Sequence, residues 1–339
     1  MRKPRNESSR RVSSDAVIEA QTKRIGSGTR IEKGSVIRAR EVRIGHDVVI
    51  DRDCNFTGFG GGPMDKLVIG DDSYFGKSVH AALPVLVVGD YVTVHRNTSL
   101  FGLKPCLIGH NTWVGEGSIL NSHEVLRIGN AVGIGTNSYI WTHVGNGELL
   151  EGCTLLGAKP VVIEDNAWLV GGNLTINPGL TIARKSVILT GSVVTRNTQP
   201  GHCYAGVPAR DITHRIRPFA DTSLTDKFEM MKDFVREYVA EKKAQGIKVV
   251  SHSNGYELKG MGTITFSPRA DSNRLSPDKD RICVVMRATN TKSIGRGTLF
   301  VVDTKTYTKT RSAIERDFMR FLKGYRAKFV PSNAPHVTL

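Results

Sequence analysis

The first two thirds of the 339-residue chain repeat aliphatic residues in steps of six positions. Eight units can be aligned, and they start at Ile25, Ile44, Ile69, Val88, Ile108, Ile128, Ile163 and Ile182. The residue six positions after each start is apolar in all eight units, and the residue twelve positions after it is usually apolar too. A period of six fits neither the 3.6-residue period of a helix nor the two-residue period of a strand. It fits a short strand and a tight turn, three times per coil, and predicts a parallel β-solenoid.

The fourth residue after each starting aliphatic is small or β-branched, as at Thr29, Ser73 and Ala167. We expect this residue to point inward near a corner, where little volume is available. Gly, Asn and Asp fill many of the positions between, and these residues accept the positive φ that tight turns need. Gly makes up 35 residues of the chain, and this pattern places much of it at the repeat corners. Successive coils should then stack about 4.8 Å apart.

Two coils are longer than the others and predict loops that leave the solenoid. One is a Gly-rich loop at about 57–67, and the other is an insertion at about 144–160, directly after His143. Loops carried by a rigid scaffold commonly build its binding site. We therefore expect a binding site beside these two loops.

The sequence pattern changes after Ile212, where the repeat of aliphatic residues gives way to helix and strand patterns. We predict a polar, basic segment over 1–24, a β-helix over 25–212 and a small α+β domain of unknown role over 213–339. In that domain the apolar spacing predicts helices at 222–245 and about 311–325, strands at 281–287 and 298–302, and a loop over 267–279.

Composition excludes several classes of protein. The five cysteines are scattered with no CxxC, so they form neither a disulfide framework nor a cysteine zinc site, and we expect a cytoplasmic location. No apolar run is long enough to span a membrane.

The formal charge is +15, of which residues 211–339 carry +10, from 24 basic and 14 acidic side chains. This charge suits an anionic partner such as a phosphate-bearing cofactor or a membrane surface. No nucleic-acid motif is present, so we do not expect nucleic acid as a partner.

Two histidines share one position of the repeat. His123 and His143 each lie fifteen residues after the start of their unit, so they should occupy the same corner on adjacent coils. A neutral imidazole can accept a proton at cellular pH, which makes either ring a candidate general base. The alternative is a pair of solvent-facing corner histidines with no chemical role.

The order of the later segments resembles that of the hexapeptide-repeat acetyltransferases. These segments are 140–143, ending in His143, then the insertion, then 160–168, 176–182, 191–195 and 205–210. The sequence is most similar to the branch that acetylates sugars, maltose and xenobiotics. The resemblance implies a left-handed parallel β-helix and acetyl-CoA as the acyl donor, with no metal. It also implies a homotrimer with active sites between subunits and a saccharide hydroxyl as acceptor. His143 matches the catalytic base of that branch, and His123 is a second candidate.

The same resemblance implies which residues contact acetyl-CoA. The matching positions are Gly171, Thr190, Thr195 and Arg210, with Lys185 or its neighbour Arg184 as an alternative to Arg210 for a CoA phosphate. The sequence departs from the family where many members read Asp-His-x-His, because residues 142–145 here read Thr-His-Val-Gly. The residue that orients His143 is therefore unassigned, with His123 and Glu148 as candidates.

Three other functions remain open at this point. An amine, such as an amino sugar, could replace the hydroxyl as acceptor. A zinc hydratase of the γ-carbonic-anhydrase kind shares the β-helix but needs three histidines, and the thirteen-residue spacing of His110 and His123 does not match it. A non-catalytic scaffold is the third alternative. The basic C-terminal domain could bind an anionic acceptor, dock on an anionic membrane, or cap or oligomerise the solenoid.

Overall fold

The computed structural model describes residues 11–145, 147–270, 278, 280–288 and 297–332. The chain divides near residue 219 into two compact units. The predicted fold class is confirmed: the chain is mainly β, and the first unit is a parallel β-helix.

One face of the β-helix is an eleven-stranded sheet. Its strands pair in parallel register from coil to coil, except for the antiparallel last pair. They are Arg11–Val12, Arg30–Ile31, Val49–Ile50, Tyr74–Phe75, Thr93–Val94, Trp113–Val114, Gly133–Ile134, Trp168–Leu169, Val187–Ile188, Cys203–Ala205 and Arg210–Asp211.

The other two faces are joined in one sheet, because the strands Val17–Ile25 and Val36–Ile44 run through the corner between them. One of these faces continues with Met64–Ile69, Val85–Val88, Cys106–Ile108, Leu126–Ile128, Val161–Ile163 and Thr181–Ile182. The other continues with Asn55–Thr57, His80–Ala82, Ser99–Phe101, Ile119–Asn121, Tyr139–Ile140, Thr175–Ile176 and Val193–Val194.

The repeat positions form the core of this prism, as the sequence predicts. Seven of the eight starting aliphatics are at most 4% exposed, and Ile25 in the first coil packs against them. The small residues four positions on are buried as well, and their hydroxyls are satisfied by the neighbouring coil. Thr112 Oγ1 donates to the carbonyl of Gly129 (2.8 Å) and accepts from the backbone N–H of Val132 (3.3 Å). A small hydroxyl at this corner thus fills the available space and bonds the next coil.

A column of polar side chains stabilises one corner. Asp71 accepts from the backbone N–H of His46 (2.8 Å), and Asp90 accepts from that of Asp71 (2.7 Å). His110 Nδ1 accepts from the N–H of Asp90 (2.9 Å), and Asn130 Oδ1 accepts from that of His110 (2.9 Å). Each coil thereby satisfies a backbone donor of the coil before it, so these polar side chains have a structural role.

The boundaries differ from the predicted ones in three places. The solenoid begins before Ile25, since residues 11–12 and 17–25 already pair with the next coil. The Gly-rich loop is shorter than 57–67, because the strand Met64–Ile69 starts inside it. The insertion is a β-hairpin, in which His143–Val144 pairs antiparallel with Gly157–Ala158. Asn146 lies outside the described residues.

The second unit combines two helices with a seven-stranded mixed sheet. Helix α1, Leu224–Ala244, begins at a Ser223 capping box, and helix α2, Ala313–Leu322, begins at Ser312. The strands are Val249–His252, Gly255–Leu258, Gly262–Ala270, Arg281–Ala288, Thr298–Val301, Thr306–Tyr307 and Val330–Pro331. Neither described helix is long and apolar enough to cross a membrane.

Most of the predicted elements of this unit are present, but the loop expected at 267–279 is wrong at its start. Residues 267–270 belong to the strand Gly262–Ala270, while 271–277 and 279 lie outside the described residues.

The two helices are linked by Tyr238, whose hydroxyl donates to Asp317 (2.7 Å), and by Lys242, which pairs with the same carboxylate (2.6 Å). Because the hydroxyl of Tyr238 and the ammonium group of Lys242 both contact Asp317, these polar groups can lie between the two helices.

Candidate active site

His123 and His143 lie face to face at one corner of the β-helix. Their ring centroids are 4.0 Å apart and the ring planes differ by 24°. Both rings are half-buried. Burial lowers the pKa of His123, and the charge that His143 carries when protonated lowers it further. The spacing of fifteen residues from each unit start therefore places the two rings together, as the sequence predicts.

Asn121 orients both rings, and the sequence analysis did not single it out. Its Oδ1 lies 2.9 Å from Nδ1 of His143 and accepts from the hydroxyl of Thr142 (2.8 Å) and the N–H of Thr142 (3.2 Å). Its Nδ2 lies 2.7 Å from Nδ1 of His123 and 3.4 Å from the carbonyl of Phe101. Asn121 and Thr142 are fully buried, so the amide is fixed in place. The two expected orienting residues do not have this role: Nδ1 of His123 is directed at Asn121, and Glu148 is exposed in the hairpin.

The sequence places Asn121 two residues before His123, directly after the core position Leu120. In the structure it ends the strand Ile119–Asn121, where it pairs with Phe101 and is fully buried. A buried amide needs hydrogen-bond partners, and only the stacking of the coils shows that these include the two histidines.

Aromatic side chains surround the histidine pair. Phe59, from the Gly-rich loop, lies edge-on to His123 with the centroids 5.5 Å apart, and Phe101 lies 6.1 Å from the same ring. Trp141 packs edge-on against His143 at 6.2 Å. Phe59 and Phe101 also line an open cavity of about 500 Å³, together with Arg38, Asn55, Thr57, Gly60, Gly61, His80, Ala82, Ser99 and Ile119. Two rings that contact His123 thus also line a cavity with aromatic and polar side chains, a composition typical of a small-molecule site.

The hairpin insertion begins at His143 itself. Three leucines near its tip, Leu149, Leu150 and Leu155, are between 74% and 87% exposed within the chain. Exposed apolar side chains that form a contiguous patch are typical of surfaces that bind another molecule.

The structure separates the residues expected to contact acetyl-CoA. Thr190 Oγ1 donates to the carbonyl of Gly171 (2.6 Å), so these two residues form a pair at the corner that follows the eleven-stranded sheet. Lys185 follows the strand Thr181–Ile182 at a second corner, with Nζ 5.9 Å from the ring centroid of Phe219. Thr195 follows Val193–Val194 at the corner of the histidines, and Arg210 is exposed in the last strand of the β-helix.

Gly171 has a structural reason to be glycine. A Cβ there would lie 2.6 Å from the backbone nitrogen of Thr136 in the preceding coil. The close approach of two coils therefore explains Gly171 without any ligand.

In the residues that the structure describes, His110 and His123 do not form the histidine set of a zinc hydratase. His110 is 5% exposed and belongs to the polar column, where its Nδ1 accepts a backbone hydrogen bond. Within the described part of the chain, no three His, Cys, Asp or Glu side chains group closely enough to hold a metal ion.

Acetyltransferases are among the known proteins that are similar to parts of this chain. No protein-family model matches the chain. The Saccharomyces cerevisiae protein named "Putative acetyltransferase YJL218W" is 36% identical over 127 residues, which cover 34% of this chain and 63% of that protein. Galactoside O-acetyltransferase of Escherichia coli (strain K12) is 47% identical over 53 residues, 16% of this chain and 26% of that enzyme. The resemblance to the hexapeptide-repeat acetyltransferases is confirmed.

The similarity to these acetyltransferases covers only part of each protein. The chain spans less than two thirds of the length of the curated relatives that it matches. Among solved structures, a maltose O-acetyltransferase from Clostridium difficile 630 overlaps with a TM-score of 0.31 and 24% identity, covering 44% of this chain and 67% of that chain. The hexapeptide-repeat acetyltransferase VCA0836 of Vibrio cholerae, solved with acetyl coenzyme A, also has a TM-score of 0.31 and 24% identity, covering 44% and 70%.

Proposed function

We propose that the chain is an acetyltransferase that moves an acetyl group from acetyl-CoA to a hydroxyl of a saccharide or glycoconjugate, with His143 as the general base. One observation carries this proposal. Nδ1 of His143 faces the oxygen of a buried amide, so the ring is held with its proton on Nδ1 and its lone pair on Nε2. An oriented neutral imidazole is the group that such a reaction needs.

The proposed reaction is a direct transfer. Nε2 of His143 takes the proton of the acceptor hydroxyl while the oxygen attacks the thioester carbonyl of acetyl-CoA. The new C–O bond forms, the C–S bond breaks, and the proton passes from His143 to the departing sulfur. Asn121 accepts from Nδ1–H throughout and favours the imidazolium that forms in between, since its oxygen lies 2.9 Å away.

A saccharide acceptor is supported by the surroundings of the histidines. A cavity is lined by Phe59 and Phe101, two rings that contact His123, and by the polar side chains of Asn55, Thr57 and Ser99. Aromatic rings suit the apolar C–H faces of a sugar, and hydroxyl and amide groups suit its oxygens. Galactoside O-acetyltransferase of Escherichia coli, which is similar to part of this chain, acts on such an acceptor by its name.

We propose that Gly171, Thr190, Thr195 and Arg210 contact acetyl-CoA, with Lys185 as an alternative to Arg210, and that the active form is a homotrimer. His143 and the Gly171–Thr190 pair occupy different corners of one prism. A site that uses both therefore needs residues from two copies of the chain. The exposed leucines of the hairpin would be covered in such an assembly.

Mixed assemblies test this arrangement. His143→Ala and Thr190→Trp should each be inactive alone, because each blocks every site. Co-expressed, they should regain part of the activity, since some sites combine an intact His143 with an intact Thr190 from a neighbour. No recovery in mixtures that contain both chains would contradict a shared site.

An N-acetyltransferase acting on an amino sugar or another amine is the second candidate. It is supported by a Staphylococcus aureus relative named 2,3,4,5-tetrahydropyridine-2,6-dicarboxylate N-acetyltransferase, 37% identical over 71 residues, 21% of this chain and 29% of that enzyme. We also propose a cytoplasmic location, which the five free cysteines support.

The deciding experiment measures thiol release from acetyl-CoA across a panel of sugars, amino sugars and glycans. Thiol release with neutral sugars, lost in His143→Ala, is the result expected for an O-acetyltransferase. Release only with amino sugars would favour the N-acetyl alternative. Background release with every acceptor, equal in the wild type and in His143→Ala, would leave a non-catalytic scaffold as the explanation.

A further inference from the structure

The amide of Asn121 determines which nitrogen of each stacked histidine carries the proton. One end of the amide accepts from the backbone N–H of Thr142 at 3.2 Å. A backbone N–H can only donate, so this end is the oxygen and the other end is the NH2 group. The NH2 group lies 2.7 Å from Nδ1 of His123, while the oxygen lies 2.9 Å from Nδ1 of His143.

The two rings are therefore opposite tautomers. Nδ1 of His123 accepts from an NH2 group, so neutral His123 carries its proton on Nε2. Nδ1 of His143 faces a carbonyl oxygen, so neutral His143 carries its proton on Nδ1 and has its lone pair on Nε2. The same side chain produces both states because it donates at one end and accepts at the other.

The stacking brings the two Nε2 atoms side by side. Both Nδ1 atoms face Asn121, and the rings are nearly parallel with centroids 4.0 Å apart, so both Nε2 atoms point away from Asn121. One of them offers a lone pair and its neighbour offers an N–H. The two rings do not pass a proton to each other, since neither Nδ1 is directed at the other ring.

We propose that this pair recognises two neighbouring oxygens of the acceptor. The hydroxyl to be acetylated donates to Nε2 of His143, and the oxygen on the adjacent carbon accepts from Nε2–H of His123. The inference rests on the proposed function and narrows its acceptor to a vicinal diol or an equivalent pair of oxygens. His123 is then a substrate-positioning donor and not a second base.

The spacing and the charge of the pair fit this role. Neighbouring oxygens on a sugar ring are roughly as far apart as two hydrogen-bonded oxygens, about 2.8 Å. Two bonds that lean slightly inward from rings 4.0 Å apart can therefore meet both oxygens. Burial lowers the pKa of His123, and a proton on His143 lowers it further. His123 thus stays a neutral donor while His143 carries the transferred proton.

The test compares two acceptors and three proteins. The acceptors are a glycoside that the wild type acetylates and its analogue with hydrogen in place of the neighbouring hydroxyl. The proteins are the wild type, His123→Phe, which keeps an aromatic ring but has no donor, and His123→Gln, whose amide N–H can replace Nε2–H. In the wild type, the missing oxygen should lower kcat/KM roughly tenfold or more.

In His123→Phe the two acceptors should react at nearly equal rates, with the KM for acetyl-CoA unchanged, and His123→Gln should restore part of the preference. An equal preference for the vicinal oxygen in the wild type and in His123→Phe would overturn the inference while leaving the proposed function intact. No thiol release from the wild type with any acceptor would overturn the proposed function and the inference with it.

A second measurement does not depend on turnover. Nitrogen-15 NMR of the histidine rings reports which nitrogen is protonated. We expect a proton on Nε2 of His123 and on Nδ1 of His143. In Asn121→Asp, which cannot donate to His123, the proton of neutral His123 should move to Nδ1, while His143 keeps its proton on Nδ1. The same tautomer in both rings of the wild type would overturn the inference.

Discussion

The side-chain oxygen of Asn121 lies 2.9 Å from Nδ1 of His143, and the two residues are on adjacent coils. The bond therefore depends on the stacking of the solenoid and not on any local turn. It connects the rigid core of the fold to the group that we propose as the base.

Replacing Asn121 by Leu should impair both stability and turnover. The hydroxyl and N–H of Thr142 would lose their acceptor while buried, which costs about 1–3 kcal/mol of the free energy of unfolding. The ring of His143 would lose its orientation, and kcat should fall about tenfold or more. Urea unfolding and thiol-release assays measure the two effects.

Asn121→Asp is the matched control for this change. A carboxylate keeps an acceptor for Thr142 and for His143, so stability should be closer to that of the wild type. Its negative charge favours protonated His143, so the acid limb of the kcat/KM profile should move to higher pH. A pH profile identical to that of the wild type would contradict the contact between these side chains.

Removing the imidazole of His143 should abolish most of the activity. We expect His143→Ala to lower kcat at least about 100-fold, since general base catalysis contributes this much or more. The fold should survive, because His143 lies at a half-exposed corner outside the aliphatic core. His214→Ala, at another exposed position, should remain as active as the wild type. Near-normal turnover of His143→Ala would exclude it as the base.

Arg210 should affect the donor and not the acceptor. Its side chain is exposed at the end of the β-helix, where it could meet a CoA phosphate as a charge-assisted pair. Arg210→Ala should raise the KM for acetyl-CoA about threefold to tenfold and leave the KM of the acceptor unchanged. Lys185→Ala is the comparison: if only this variant raises the KM for acetyl-CoA, the phosphate contact belongs to Lys185.

The depressed pKa of His123 makes stability depend on pH. Its pKa is lowered by burial first and by His143 second, so the unfolded chain binds this proton more readily than the folded one. Stability should therefore rise with pH from the folded pKa of His123 up to the unfolded value near 6.5, and fall on acidification through that range.

Urea unfolding at pH 5.5 and at pH 7.5 measures this dependence. His123→Gln has no group that titrates there, so its stability should differ less between the two pH values than that of the wild type. An equal difference in both proteins would show that other groups cause the acid sensitivity.

The solenoid could be predicted from the sequence because each face of each coil contributes one apolar side chain to the core. A narrow prism leaves room for an aliphatic residue at each sixth position, so the register of Ile108, Val114 and Leu120 is visible without any structure. The pairing of His123 with His143 follows from the same register.

Asn121 could not be predicted in this way, because its partners lie on its own coil and on the next one. Only the three-dimensional stacking shows that one amide reaches both rings. The strands between Val249 and Ala270 were missed for a related reason. They are paired in a mixed sheet and carry polar residues, such as Ser251 and Glu257, that hide their alternation.

The hairpin insertion closes on its own strand pair, and the next coil resumes in register when Val161 pairs with Leu126. The loop between the two short strands can thus change in length and sequence without displacing any layer of the prism. His143 lies at the boundary between the coils of the prism, whose stacking must be kept, and the hairpin loop, whose sequence can be exchanged. New acceptor preferences can therefore evolve, or be engineered by grafting residues 145–156, around an unaltered histidine pair.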